Sequence, residues 1–158
     1  MRRSILFLGL VSALFAFAVS CSRESPAIQA HEMTGSREER VATMADFLGK
    51  RVKVPGEIRD VWYVEERIGD GFLGPSDYRA FLVLQVRGED VRGWERLLKP
   101  LAQAAGYTAP ETPRSWWVSQ EEFQRLHLFE PAPLARSTHG WAAVAPDSGR
   151  IYVFSYSM

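Results

Sequence analysis

Apolar and polar positions change period several times along this chain, and each change marks an element. From Ser36 the period is helical. Ser36-Arg37-Glu38-Glu39 matches a capping box, in which serine and glutamate three apart each satisfy a free amide at a helix start. Val41, Met44, Ala45 and Leu48 then recur on one face, and Gly49 supplies a stop. Lys50-Arg51-Val52-Lys53 reads as a solvated turn whose cations suit the helix dipole, with contact to lipid phosphates as the other reading. The period then falls to two. Glu57 to Ile68 reads as a strand with Ile58, Trp62, Val64 and Ile68 on one face and Val61 and Tyr63 on the other. Tyr78 to Val86 is the clearest strand, because Phe81-Leu82-Val83-Leu84 is apolar on both faces and so belongs at the centre of a sheet. The glycine-rich stretch Gly69 to Asp77 joins the two as a long hairpin loop. Phe72 and Leu73 at its middle either tuck against the sheet or face a partner.

The second half repeats the scheme. Glu89 to Ala105 carries Val91, Trp94, Leu97, Leu98 and Leu101 on a helical stripe, which reads as core packing. Pro100 should end the main helix near Leu98 and leave a short second piece closing at Gly106. Tyr107 to Arg114 reads as loop, followed by Ser115-Trp116-Trp117-Val118. Ser119-Gln120-Glu121-Glu122 is a second capping box opening a short helix with Phe123 and Leu126. Thr138 to Ala145 and Arg150 to Tyr156 read as strands joined by the turn Pro146-Asp147-Ser148-Gly149. On the last strand Tyr152, Phe154 and Tyr156 alternate with Ile151 and Val153. The expectation is an α+β domain in the order α-ββ-α-α-ββ, a four-stranded antiparallel sheet from two hairpins with helices packed on one face.

The first residues have a different character. Arg2 and Arg3 precede an apolar run from Ile5 to Val19, the layout of a secretory signal. As a helix the run would cover roughly 22 Å, short of the ~30 Å hydrocarbon core of a bilayer. Ala18-Val19-Ser20-Cys21 resembles a bacterial lipobox, with Ala18 where Leu is usual and Ser20 in place of Gly or Ala. The resemblance covers residues 1 to 21. It implies a diacylglyceryl group on Cys21, cleavage before Cys21 and acylation of the new terminus. Ser22, rather than Asp, after the cysteine points by the same resemblance to the outer membrane, facing the periplasm. An ordinary signal cleaved near Ala16 or Ala18, leaving Cys21 a free thiol, is the alternative. Residues 1–20 are thus expected to be a signal peptide, 21–35 the lipidated cysteine with a flexible tether, and 36–158 a single domain. In Asp77-Tyr78-Arg79 and Asp90-Val91-x-x-Trp94 the globular part is similar to small uncharacterised bacterial lipoproteins, a resemblance that implies no activity.

Charge and cysteine usage narrow the functional classes. Loss of residues 1–20 removes Arg2 and Arg3 and no acid, leaving 17 basic against 19 acidic side chains. That balance, like export, argues against nucleic-acid binding. Cys21 is the only cysteine, so the domain holds no internal disulfide, thiolate metal site or redox pair. The loop Gly69 to Asp77 lacks the Gly-Lys-Ser/Thr ending of a phosphate-binding loop.

Candidate chemistry is sparse. His31, His127 and His139 lack the spacing of a helical zinc pair, and no Gly-x-Ser-x-Gly elbow accompanies Ser137-Thr138-His139 or Ser155. Asp60, Glu65 and Glu66 could flank a glycosidic bond, but charged edge positions on a solvent-facing strand explain them better. The reading assigns no catalytic residue, metal or cofactor. Five tryptophans, five tyrosines and nine phenylalanines make a heavy aromatic load. Trp116, Trp117 and Trp141, outside any clean period, are candidate binding residues together with Phe72 and Leu73. The leading expectation is a membrane-anchored, non-catalytic lipoprotein that binds a protein partner as an accessory, inhibitor or immunity factor. A small-ligand or glycan-binding module, stacking its ligand on those tryptophans, is the alternative, and a hydrolase built on His139 a third. For the anchor, a Cys21→Ser variant should leave the membrane fraction on cell fractionation while wild type stays in it; membrane retention of the variant would overturn lipidation at Cys21.

Overall fold

In a computed structural model of the chain, residues 28–68 and 77–157 are described. They form six strands and three short helices: β1 (Ile28–Glu32), α1 (Arg37–Gly49), β2 (Ile58–Ile68), β3 (Asp77–Val86), α2 (Val91–Glu95), α3 (Gln120–Phe123), β4 (Leu128–Phe129), β5 (His139–Ala145) and β6 (Arg150–Tyr156). The strands make one antiparallel sheet in the order β1-β2-β3-β6-β5-β4. The fold is therefore mostly sheet. This corrects the expected four-stranded α+β arrangement in two respects: the sheet has six strands, and covering layers lie on both of its faces.

Both added strands are edges. Ile28–Glu32 was expected to be tether; it pairs with β2 from Ile28↔Ile68 to Glu32↔Val64. All five of its residues are exposed, so it carries no apolar alternation to read. At the other edge β4 has two residues, too few for a period. Its outer side is occupied by the chain at 99–101: Glu130 N donates to Lys99 O at 2.8 Å, Leu101 N donates to Leu128 O at 3.0 Å, and Pro100 bridges Phe129. The same contacts explain why α2 ends at Glu95 and no helical piece closes at Gly106. The backbone near Pro100 extends along β4 instead of continuing a helix, as proline's missing amide favours.

Alternation along the central strands defines two cores. On one face Leu82, Leu84, Val86, Ile151, Val153, Ala142 and Val144 pack under Met44 and Leu48 of α1 and Val91, Trp94 and Leu98 around α2. On the other, Phe81, Val83, Tyr152, Phe154, Trp141 and Ala143 pack under Trp116, Trp117, Val118 and Phe123, which reaches that layer from α3. The apolar run on β3 is buried on both sides, with Phe81, Val83 and Leu84 fully enclosed. The sorting of β6, with Tyr152 and Phe154 opposite Ile151 and Val153, follows the sequence expectation.

On β2 the sorting departs from simple alternation. Ile58 pairs with Val86 and Asp60 with Gln85, so one extra residue forms a bulge that moves Ile58 onto the face of Val61 and Tyr63. The bulge is held from α1. Arg40 donates Nε to Val61 O at 2.8 Å, Nη1 to Gly35 O at 2.8 Å and Nη2 to Asp60 Oδ1 at 2.6 Å. Asp60 Oδ1 also accepts from Val61 N.

Local signals fall where expected. Ser36 accepts from Glu39 N and Glu39 from Ser36 N, completing the first capping box. Ser119 accepts from Glu122 N at the start of α3, so the second box forms by its serine half. Gly149 holds φ +66° in the β5–β6 turn, the left-handed region that glycine enters freely. No helix of the described residues is long and apolar enough to cross a membrane.

Arg40 and Asp60 are each about one-fifth exposed, so their pairing is only partly screened. Arg40→Ala should lower unfolding free energy by about 2 kcal/mol in urea titrations. A loss under about 0.5 kcal/mol would show that the bulge holds α1 without the guanidinium.

Candidate functional site

The tryptophans proposed for binding are interior. Trp141 is 1% exposed, Trp117 8% and Trp116 9%. Trp117 sits at the centre of their cluster, edge-on to Phe81 at 5.2 Å, to Trp116 at 6.0 Å and to Tyr152 at 5.8 Å, and tilted against Trp141 at 5.6 Å. Its Nε1 donates to Thr108 O at 2.9 Å. Trp116 and Trp117 lie in an irregular segment with no period, and that segment is the lid of the second core. Burial there removes them as a stacking surface. Phe72 and Leu73, like Cys21, fall outside the described residues.

The polar candidates are committed elsewhere or dispersed. Glu66, 2% exposed, accepts from Arg79 Nη2 at 2.9 Å and from Glu111 N at 2.6 Å, tying the segment after Tyr107 to the sheet. Glu65 points to the opposite face, where it accepts from Tyr63 OH at 3.1 Å and from Arg67 Nε at 3.2 Å. Asp60 is held by Arg40. The three acids therefore do not converge across one cleft. Ser137 Oγ donates to Tyr156 O at 2.6 Å and accepts from His139 N, so its proton is not directed at the His139 ring. That ring lies against Tyr156 at 5.6 Å, in an exposed position. His31 and His127 are also exposed, and among the described residues no group of three His, Asp or Glu could hold a metal ion.

The geometry instead marks a cavity of about 230 Å³ between α1 and the sheet. Its walls come from four directions. Met44 and Phe47 descend from α1; Ala80 and Leu82 rise from β3; Val153 and Ser155 rise from β6; Leu134 and Ala135 close the side. Tyr63, Glu65, Tyr78, Thr43, Met33 and Arg136 complete the rim. The space lies where α1 packs over β2, and small Ala80 and Ala135 leave room along its lining. Ser155 is 4% exposed and lines the space. An apolar chamber with a few convergent polar groups is the usual form of a small-ligand site.

Electrostatics at the rim are asymmetric. Burial, and next the Glu65 carboxylate beside it, push the Tyr63 phenol well above its ordinary range. Arg136 is exposed at the mouth, its guanidinium 5.9 Å from the Phe47 ring centre, and makes no ion pair among the described residues. Arg51 lies over the same ring at 5.1 Å and donates to Ala135 O at 2.8 Å. A second groove, lined by Arg37, Glu38, Glu57, Arg59 and Arg87, is polar, and most of its charges are paired internally, Arg87 with Glu57 and Arg37 with Glu38.

No single stretch of sequence announces the cavity. Met44, Tyr63, Leu82 and Val153 each belong to an apolar pattern of their own element, but Ala80, Arg136 and Ser155 have no mutual spacing to detect. No family model, curated protein or solved structure matches the chain.

Because the folded state holds the Tyr63 proton more tightly than the unfolded chain, its contribution is fully present below about pH 10 and is lost as pH rises towards the folded-state value. The stability gap between wild type and Tyr63→Phe should therefore be flat to about pH 9 and shift steadily against wild type above about pH 10. A gap independent of pH across that range would contradict the placement of Tyr63 beside Glu65.

Proposed function

We propose that the protein is a lipoprotein of the bacterial cell envelope, held on the membrane through Cys21, whose domain is a non-catalytic module binding a small, largely apolar ligand. The observation that carries the ligand reading is the cavity between α1 and the sheet. Its volume exceeds the ~150 Å³ of an engineered apolar cavity that takes up benzene. Its walls combine aliphatic side chains with Ser155, and β3 and β6 form its floor. The buried position of Trp116, Trp117 and Trp141 weakens both glycan stacking and an aromatic docking patch.

A protein-binding accessory is the second reading, supported by β1. Met33 N donates to Tyr63 O, so by alternation the backbone groups of Ile28, Ala30 and Glu32 face away from β2. That edge has the form used in recognition by strand addition. It offers five residues with little apolar surface, whereas the cavity offers enclosure; the ligand reading is therefore preferred.

The test uses the full-length protein in lipid nanodiscs. A panel of ten-carbon alcohols, amines and acids should include compounds that raise the melting temperature by several degrees near saturation, since a ligand at about 100 Kd adds roughly 2.7 kcal/mol. Ala80→Leu, which fills the chamber from its floor, should abolish the shift while the variant stays folded. A panel without effect on wild type would remove the ligand reading and leave the exposed edge as the site to pursue.

A further inference from the structure

The cavity has a direction. Its deep wall is Met44, Leu82, Leu134 and Val153, all apolar. Its polar groups gather towards one end of the sheet, where Glu65, Ala80 and Ser155 stand in register and Tyr78 lies one step further out. A molecule that satisfies both regions has an apolar tail and one polar head.

The charges at the mouth decide the sign of that head. Glu65 is already satisfied, receiving Tyr63 OH on one oxygen and Arg67 Nε on the other. Arg136 has no carboxylate within ion-pair distance among the described residues, and its guanidinium lies 5.9 Å from the Phe47 ring centre at the rim. Ser155 Oγ and the Tyr78 hydroxyl add uncharged donors. The surplus at the mouth is cationic and rich in donors, which suits a carboxylate and disfavours an ammonium group. Scaling from the ~150 Å³ that holds six-carbon benzene, the chamber takes about nine carbon atoms.

Resting on the ligand reading above, we propose that the cavity binds a single-chain carboxylate amphiphile of fatty-acid type, its tail between α1 and β3 and its head at Arg136. The position of the anchor agrees with such a ligand. Six residues separate Cys21 from Ile28, a span of at most about 25 Å. Ile28 pairs with Ile68, and Ile68 with Asp77, at the same end of the sheet as the polar mouth. A lipid anchor at Cys21 would thus keep the mouth near the membrane surface, where amphiphiles collect.

Photolabelling of the full-length protein in nanodiscs tests the assignment. Four diazirine probes are compared: a ten-carbon carboxylate, the matching alcohol, the matching amine, and a phospholipid built into the disc. Peptide mapping should place the carboxylate on Met44, Phe47 or Leu134 at least about tenfold more than the alcohol or amine, as expected for a charge-assisted hydrogen bond. Arg136→Gln should remove that preference without changing alcohol labelling, and Arg136→Lys should restore part of it. Equal labelling by alcohol and carboxylate, or indifference to Arg136→Gln, would overturn the carboxylate while leaving a ligand cavity. Labelling by the phospholipid alone would overturn the single-chain assignment. No cavity labelling by any probe would overturn both the assignment and the ligand reading beneath it.

Discussion

Strand β3 has no polar side along Phe81-Leu82-Val83-Leu84, and most of the architecture answers that constraint. A strand buried on both faces must lie inside the sheet, with covering layers above and below. β2 and β6 flank it. α1 and α2 supply one layer. The other contains little regular structure: Trp116, Trp117 and Phe123 cover Phe81 and Tyr152, with aromatic side chains replacing a helix. Large rings suit this task, since each buries much area from a segment whose backbone need not be periodic. Such a layer requires polar fastening, because irregular backbone leaves amides to satisfy. Glu66 provides it by accepting Glu111 N while paired with Arg79, and Arg114 pairs with Glu32 of β1 at 3.0 Å.

How far the chain could be read from its residues follows the range of the interactions involved. The Ser36–Glu39 box and the Gly149 turn lie within four residues, and both are present in the structure. The faces of β6 were legible because alternation is local to one strand. The faces of β2 were not, because the bulge beside Asp60 is fixed by Arg40 from another element. β1 was hidden for a related reason: an exposed edge strand is specified by its partner's hydrogen bonds, and Ile28-Gln29-Ala30-His31-Glu32 carries no pattern of its own. Pro100 announced a break but not its use, since pairing with β4 depends on residues some thirty positions away.

The candidate site shows the same limit more sharply. Aperiodic tryptophans suggested exposure because periodicity was the only local marker of burial available; their burial comes from packing with Phe81, Tyr152 and Phe154 on β3 and β6. A cavity is the opposite case. It consists of what side chains fail to fill, so small residues matter as much as large ones, and Ala80 and Ala135 gave no reason to be singled out.

The two covering layers also differ in how tightly they can close. The tryptophan layer can adapt residue by residue along an irregular chain, and its rings meet at centroid separations of 4.8 to 6.0 Å. α1 is a rigid cylinder whose height over the sheet is set by Leu48 and Met44 on one side and by Arg40 at the bulge on the other. A straight helix over a twisted sheet contacts it well along only part of its length. At the end where Phe47 overhangs Ala80, the gap stays open unless a large side chain fills it. Ala80 and the buried Ser155 lie side by side on the floor of the resulting space of about 230 Å³. The recess under α1 and the dense ring packing on the opposite face are thus two outcomes of one requirement, that both faces of β3 be covered.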